Sequence, residues 1–266
     1  MRLSASRPIG LITGGGGAIG SGIAAALVRD GWSVVLADRD LVAAKAAAER
    51  IGRAHVAAIL ACDVCDEASV RSVVEQTTST FGRIDGLATA AGGGKAVGPR
   101  TLFWETGRQD WTLNLETHLV SVMTTCQAVL PQMLKQKSGV ILNVASGAGL
   151  RGGPPMSRQR FAEVYALAKA GVIAFTQSIA LEFAPLGVRA NCIAPGRAES
   201  TRRTADGLLA VGHEEEAREP GSSRLSPLGR FGRSDDLGNA AAFLMSDRST
   251  WITGTCMDVS GGIRLH

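Results

Sequence analysis

The chain has 266 residues, of which 45% are hydrophobic and 20% charged, and its formal net charge is +4. Such a chain can bury a full hydrophobic core, so we expect a globular protein of one or two domains. Basic and acidic residues alternate along most of the sequence, whereas nucleic-acid binding requires Lys and Arg clustered on one face. We therefore predict no nucleic-acid partner.

The apolar runs of the sequence are short. None approaches the roughly 18 residues needed to span a bilayer, so we expect a cytoplasmic protein with no membrane partner. The five cysteines are an odd number and lie mostly in apolar stretches, which is typical of reduced thiols and not of a disulfide framework. Cys62 and Cys65 have the spacing of half a metal site, but no second Cys/His pair follows, so we predict no metal site.

Apolar runs rich in β-branched residues alternate with longer Ala-rich segments, which is the pattern of βαβ units. It predicts an α/β fold, with residues 1–266 in a single Rossmann-like, doubly wound domain whose seven-stranded parallel sheet is flanked by helices. The predicted strands are Ile9–Thr13, Ser33–Asp38, Val56–Cys62, Asp85–Ala90, Val140–Val144, Val188–Ile193 and Cys256–Val259. Long helices are predicted at Asp110–Lys135 and Phe161–Glu182. The polar segment at about 197–226 is predicted to be a mobile substrate loop.

A glycine cluster follows the first strand in "LITGGGGAIGSGIAAALV". Glycine lets the backbone turn sharply and approach a pyrophosphate, and the N-terminus of the following helix offers free N–H groups. Taken alone, such a loop is also compatible with a flexible turn. The residues of the predicted cofactor cradle are Gly14, Gly17, Ala18, Ile19 and Gly20.

The second predicted strand ends at Asp38, 18 residues after Gly20. A carboxylate there can accept hydrogen bonds from both ribose hydroxyls of an adenosine, and it would repel a 2′-phosphate. Arg39 is the counterargument, because a guanidinium can hold a phosphate bidentately. We expect Asp38 and Arg39 to border the adenosine, with NAD as the cofactor and NADP as the less favoured alternative.

The single tyrosine, Tyr165, is followed four residues later by Lys169 within a predicted helix. At this spacing the two side chains share a helix face, so the ammonium can stabilise a phenolate. A tyrosine with its ordinary pKa of about 10 is a poor base at neutral pH, and a neighbouring cation lowers that pKa. In isolation, an ordinary pair on a helix surface would be the better interpretation.

Together these motifs resemble the short-chain dehydrogenase/reductase family. The resemblance runs from "TGGGGAIG" (13–20) through "YALAK" (165–169) and "APG" (194–196) to the closing "PLGRFGRSDDLGNAAAFLMSDRSTWITGTCMDVSGG" (227–262). It implies that Tyr165 is the general acid/base, that Lys169 lowers its pKa and binds the nicotinamide ribose, and that Ser146 orients the substrate carbonyl. It also implies a homotetramer built from the two long helices.

The same resemblance extends the cofactor site. It implies that Asp63 contacts the adenine and that the backbone at "TAAG" (89–92) passes beside the adenosine ribose, although Thr89 and Ala90 replace two asparagines common in relatives. We expect the side-chain amide bonds of those asparagines to be lost. The further cofactor contacts implied are Asp63, Val64, Ala91, Gly92, Pro195, Gly196 and Ser200 (or, in its place, Thr201), together with Tyr165 and Lys169.

An insertion, "GGPPMSRQRF", lengthens the segment between Ser146 and Tyr165 beyond the usual family spacing. We expect it at the mouth of the pocket, where Arg158 and Arg160 could meet an anionic group of the substrate. The alternative is a solvated surface loop.

Family members usually carry an asparagine in the helix after the fourth strand, where it supports a water in a proton relay. His118, and not Asn114, occupies this position: it lies seven residues after Trp111, 28 before Ser146 and 13 before Pro131. Imidazole titrates near neutral pH and can pass a proton itself, so we predict a near-neutral ionisation from His118. The alternative is a histidine that only fills space.

The function expected from these residues is an NAD-dependent oxidoreductase that interconverts a secondary alcohol and a ketone by hydride transfer. Its partner is a small-molecule alcohol or ketone. Two alternatives remain open. One is an NADP-dependent carbonyl reductase that uses Arg39, and the other is a non-catalytic dinucleotide-binding protein on the same fold.

Overall fold

The computed structural model describes residues 7–92, 102–152, 162–198 and 226–263. Strands and helices alternate along these ranges. The strands are β1 (Ile9–Thr13), β2 (Ser33–Asp38), β3 (Val56–Ala61), β4 (Gly86–Thr89), β5 (Gly139–Val144), β6 (Val188–Pro195) and β7 (Cys256–Val259). The helices are α1 (Ala18–Arg29), α2 (Leu41–Ile51), α3 (Glu67–Phe81), α4 (Arg108–Leu115), α5 (Ser121–Gln136), α6 (Gly147–Arg151), α7 (Ala162–Phe183) and α8 (Ser234–Met245), and a π-helical turn, Glu116–Val120, joins α4 to α5.

The seven strands form one parallel sheet in the order β3-β2-β1-β4-β5-β6-β7. This confirms the predicted seven-stranded, doubly wound α/β fold. The order runs outward from β1 in one direction and from β4 in the other, so the chain crosses over between β3 and β4. In open sheets of this kind, ligands bind at the carboxyl ends of the strands beside such a switch point.

Helices cover both faces of the sheet, and a hydrophobic core lies on each side. One core joins the sheet to α3, α5 and α7, and the other joins it to α1, α2 and α8. A strand that is covered on both faces needs a nearly continuous apolar run. β1 is such a strand, because every residue of "IGLIT" is buried.

The predicted strands are confirmed: β1, β2 and β7 have the predicted bounds, and the other strands differ by one or two residues at an end. The long helix predicted at Asp110–Lys135 extends from Arg108 to Gln136 but contains the π-helical turn. Helical periodicity in the sequence did not reveal this turn, because one extra residue in a turn leaves the apolar spacing on either side intact.

No uninterrupted apolar run in the sequence approaches roughly 18 residues, but one helical segment of the described chain is long and apolar enough on average to cross a membrane. Residues Glu163–Leu186 form a 24-residue helical segment with a mean hydropathy of 1.5, and 44% of its most apolar window is buried within the protein. Most of this segment is α7, which packs on the sheet and contributes Val172 and Ile179 to the core. The packing of a core helix accounts for this composition.

Several sequence predictions concern residues that lie outside the described ranges. The predicted substrate loop is described only at its ends, Arg197, Ala198 and Ser226, and the cofactor contact assigned to Ser200 falls within the rest. Arg158 and Arg160 of the insertion also lie outside the described residues.

Candidate active site

The carboxyl edge of the sheet gathers the predicted site residues. Gly14 directly follows β1, Asp38 ends β2, and Asp63 lies two residues beyond β3. On the other half of the sheet, Ser146 lies two residues beyond β5 and Gly196 directly follows β6. Because the strands are parallel, all these positions share one edge.

The glycine loop after β1 is packed as closely as glycine allows. Gly14 has a φ of +67°, and a Cβ added there would lie 2.6 Å from the backbone of Ala91 beyond β4. A Cβ on Gly20 would lie 2.1 Å from the carbonyl oxygen of Gly14. Gly17 is the N-cap residue of α1, which begins at Ala18. The loop therefore brings the free N–H groups of the first turn of α1 to the edge of the sheet, where a phosphate can bind.

The carboxylate of Asp38 is fixed by two backbone hydrogen bonds. The Gly16 N–H donates to Oδ2 at 2.9 Å, and the Asp40 N–H donates to Oδ1 at 2.9 Å. The carboxylate of Asp40, which caps α2 by accepting the N–H of Ala43, adds a second negative charge near this end of β2. Arg39, between the two, is exposed.

Two of the predicted adenosine contacts follow β3. Asp63 is exposed, and its Oδ1 accepts a hydrogen bond from the N–H of Cys65 at 3.0 Å. Val64 between them is half-buried. This short turn presents the Asp63 carboxylate to solvent at the same edge as Asp38.

The contacts predicted after β4 and β6 are on the same edge. Ala91 lies against Gly14, and Gly92 follows it as an exposed residue. Pro195 is buried at the end of β6, and the N–H of Gly196 donates to the carbonyl of Val259 at 3.1 Å.

Ser146 lies where β5 turns into α6. Its Oγ caps this helix by accepting the N–H of Ala148 at 3.1 Å, which leaves the hydroxyl hydrogen able to donate. The backbone of α6 touches α7: a Cβ on Gly149 would lie 2.5 Å from the carbonyl carbon of Lys169. This contact holds the turn that carries Ser146 against the helix that carries Tyr165 and Lys169.

Lys169 is a buried cation, with 4% of the residue exposed. Its Nζ donates to the carbonyl oxygen of Val144 at 2.7 Å, and it lies 6.0 Å from the ring centre of Tyr165. Burial lowers the pKa of Lys169 from 10.5 to about 8. The ammonium is therefore still charged at neutral pH, next to the half-buried Tyr165.

The side chain of His118 extends from the π-helical turn to the ring of Tyr165. Its ring is perpendicular to that of Tyr165, with the ring centres 5.0 Å apart. Burial, together with the charge of Lys169, lowers the pKa of His118 from 6.5 to about 3. This shift is opposite in direction to the near-neutral ionisation predicted from the sequence, which could not reveal that the imidazole is desolvated beside a cation. Asn114, one turn earlier, is also buried.

A buried polar network behind these residues was missed in the sequence. Thr89 Oγ1 donates to Asn143 Oδ1 at 2.8 Å, and Asn143 Nδ2 donates to Thr176 Oγ1 at 2.9 Å. Thr89 has no amide to form the bonds of the asparagine it replaces, but its hydroxyl bonds to Asn143, its neighbour across the parallel ladder. The sequence feature that indicates a buried polar network is Asn143, an amide inside the apolar run "VILNVAS" that needs a hydrogen-bond partner.

The chain matches the family model described as "Enoyl-(Acyl carrier protein) reductase" over residues 16–264. It is 33% identical over 256 residues to the 3-oxoacyl-[acyl-carrier-protein] reductase of Bos taurus, covering 96% of this chain and 97% of the relative. It is 32% identical over 255 residues to carbonyl reductase family member 4 of Xenopus tropicalis, with coverage of 96% and 97%. The solved structure described as "Crystal structure of gox2181" matches with a TM-score of 0.83 at 29% identity, covering 97% of this chain and 96% of that one.

A glycine cradle on one half of the edge and a Ser, Tyr and Lys cluster on the other define a dinucleotide-binding enzyme. The chain belongs to the short-chain dehydrogenase/reductase family and is an oxidoreductase of that family. The family implies a nicotinamide dinucleotide cofactor. The described residues fit this group, since the tightly packed glycine loop brings the N-terminus of α1 to the edge of the sheet and Asp38 presents a fixed carboxylate there.

Proposed function

We propose that the protein is an NAD-dependent oxidoreductase that interconverts a secondary alcohol and a ketone. The observation that carries the proposal is the buried ammonium of Lys169, one helical turn from Tyr165 and 6.0 Å from its ring centre. A cation in this position favours the phenolate and lets a tyrosine exchange a proton near neutral pH. The names of the two relatives, both reductases, support this class of reaction.

In the oxidative direction, the phenolate oxygen of Tyr165 accepts the O–H proton of the alcohol while the carbon loses hydride and the C–O bond becomes C=O. In the reductive direction, the phenol of Tyr165 returns that proton. Ser146 donates a hydrogen bond to the oxygen on which charge develops. Lys169, held through the Val144 carbonyl, stabilises the phenolate. A bound nicotinamide supplies the hydride acceptor for oxidation and the hydride donor for reduction.

The preference for NAD is proposed from the end of β2. Two backbone N–H groups hold the Asp38 carboxylate, so it cannot swing away from a 2′-phosphate without losing both hydrogen bonds. Asp40 adds a second negative charge nearby. For the NADP alternative, Arg39 would have to offset both carboxylates from an exposed position.

The test is a screen of NAD reduction with cyclic, aromatic, hydroxyacid and sugar alcohols, together with NADH oxidation by a 3-oxoacyl thioester. Tyr165→Phe serves as the blank, with dinucleotide binding by calorimetry as the check that this variant still folds. We expect turnover in the wild type only. Turnover that survives in Tyr165→Phe would rule out the acid/base role. Dinucleotide binding without turnover of any substrate would favour the non-catalytic alternative.

The same family resemblance leads us to propose a homotetramer. The α4–α5 segment and α7 expose large apolar side chains, including Leu113, Met123, Leu167 and Leu181, with Leu167 62% and Leu181 81% exposed. Apolar side chains clustered on long helices support burial against other copies of the chain. Light scattering coupled to gel filtration tests the proposal, and a monomeric mass at micromolar concentration would contradict it.

A further inference from the structure

The π-helical turn fixes the position of His118. A π turn inserts one residue into a helix and so changes the direction in which its side chains point, which is why such turns are frequent at functional sites. This turn packs directly on α7: a Cβ added to Gly171 would lie 2.9 Å from Cδ2 of Leu119. The turn therefore cannot shift without disturbing the helix that carries Tyr165.

The ring of His118 is enclosed between two parts of the proposed site. On one side it meets Tyr165 with perpendicular rings, a favourable arrangement for two aromatic side chains. On another side lies the backbone beyond β4, where a Cβ added to Gly92 would lie 3.3 Å from Nδ1 of His118. Only 4% of His118 is exposed. The imidazole thus fills the space between the end of β4 and the phenol.

One nitrogen of this imidazole, Nδ1, is poorly placed to carry a proton. Nδ1 is buried and has no hydrogen-bond partner within the described part of the chain. An imidazolium here would be a second cation beside Lys169, in a site where both groups are desolvated, and the pKa of His118, lowered to about 3, reflects that cost. The Cys192 thiol, which also lies near Lys169, is neutral because its pKa is raised.

We propose that His118 is a positioning residue that acts on Tyr165 as a fixed aromatic ring, holding the phenol beside Lys169 and excluding water from their contact. The inference rests on the proposed function and adds a positioning residue to the proposed active site. Electrostatic attraction between Lys169 and a phenolate is strong only where water is excluded, because a higher local dielectric weakens it. Removing the ring therefore weakens the influence of Lys169 on Tyr165.

The chain offers a direct measurement of this influence. Tyr165 is the only tyrosine, so the near-ultraviolet absorbance of phenolate reports its ionisation alone. Two variants separate the ring from its nitrogens: His118→Ala removes both, and His118→Phe keeps a ring without a titratable nitrogen. Glu116→Ala changes an exposed side chain on the same π-helical turn and is the matched control.

We expect His118→Ala to move the ionisation of the phenol to higher pH by about one unit and to lower kcat about tenfold, with the KM for NAD unchanged. His118→Phe should restore the phenol ionisation and kcat most of the way to their wild-type values. Glu116→Ala should match the wild type. Circular dichroism and thermal unfolding identify any variant that fails to fold. His118→Asn, which also removes the ring, replaces His118→Ala if the latter does not fold.

Two outcomes would overturn the proposal. If His118→Phe is as impaired as His118→Ala, the nitrogens are needed and the residue carries protons. If His118→Ala leaves the phenol titration unmoved, the ring does not position Tyr165. The titration needs neither substrate nor turnover, so its result is distinguishable from a failure of the proposed function.

Discussion

The cofactor half of the carboxyl edge, built on β1 and β2, and the proposed catalytic half, built on β5 and α7, differ in what holds their polar groups. In the cofactor half, backbone N–H groups position the Asp38 carboxylate. The glycine loop packs so tightly that a Cβ added to Gly14 or Gly20 would lie only 2.6 or 2.1 Å from neighbouring backbone atoms. In the catalytic half, buried side chains lie against one another, and the pKa values of Lys169 and His118 are lowered.

The difference follows from what each half has to do. A dinucleotide is recognised by its shape and charge, which backbone geometry can match without burying an ionisable group. Proton exchange instead requires side chains whose ionisation is altered, and desolvation is the means of altering it. We therefore expect substitutions in the first half to change cofactor affinity, and substitutions in the second half to change turnover and the pH dependence of stability.

Lys169→Met should produce the largest change and separate activity from stability. We expect turnover to fall roughly a thousandfold because the phenolate loses its cation. Since burial disfavours the ammonium, the free energy of unfolding at pH 7 should rise by about 1–3 kcal/mol. Urea unfolding and initial rates measure the two effects, with Lys135→Met on the exposed side of α5 as the control.

The sign of the pH dependence provides a second check on Lys169. Its pKa is about 8 in the folded protein against 10.5 ordinarily, so the unfolded chain binds more protons between these values. The free energy of unfolding of the wild type should therefore rise with pH through this window, and Lys169→Met should not show this rise. A variant less stable than the wild type at pH 7 would contradict the idea that the buried ammonium is a cost to folding.

Gly20→Ala tests the backbone geometry of the cofactor half. The added Cβ would lie 2.1 Å from the Gly14 carbonyl oxygen, so the loop must shift. We expect the Kd for NAD to rise roughly a hundredfold, the effect of losing one or two hydrogen bonds to a charged phosphate. Gly107→Ala is the matched control, because a Cβ there meets no atom closer than 4.0 Å. Unchanged binding in Gly20→Ala by calorimetry would place the dinucleotide elsewhere.

Asp38→Asn should change which dinucleotide is preferred. Removing the charge that would face a 2′-phosphate should raise the ratio of kcat/KM for NADPH to that for NADH about 50-fold, a change of about 2 kcal/mol. Asp63→Asn is the comparison, since we expect it to weaken both cofactors alike. A wild type that already prefers NADPH would show that the Asp38 carboxylate does not exclude a 2′-phosphate.

The smallest expected effect concerns acid stability. The pKa of His118 is lowered in the folded protein, so the unfolded chain binds more protons between about 3 and 6.5. Folding stability should therefore fall as pH drops below 6.5, and His118→Asn should remove on the order of 2 kcal/mol of that fall between about pH 7 and 5. Urea unfolding at both pH values measures it, and His55→Asn, at a histidine in a short turn before β3, should leave the fall in place.

The sequence predicted the fold well because its signals are local. A run such as "SVVLAD" and a glycine cluster each specify a strand or a turn without reference to distant residues, and the bounds of β2 were predicted correctly. The gathering of Ser146, Tyr165 and Lys169 followed from the family motifs. The ionisation of His118 and the pairing of Thr89 with Asn143 could not be predicted, because both depend on contacts between elements far apart in the chain.

The Thr89–Asn143–Thr176 network joins β4, β5 and α7 across sequence separations of 54 and 33 residues. Its three members are 2% exposed or less, so breaking it without separating these elements would leave polar groups both dry and unpaired. Local opening between β4 and β5 is therefore costly, and we expect amide hydrogens of these two strands to exchange with solvent together, in one cooperative opening. Because β4 also pairs with β1, which leads into the glycine loop, such an opening would reach the edge of the cofactor half.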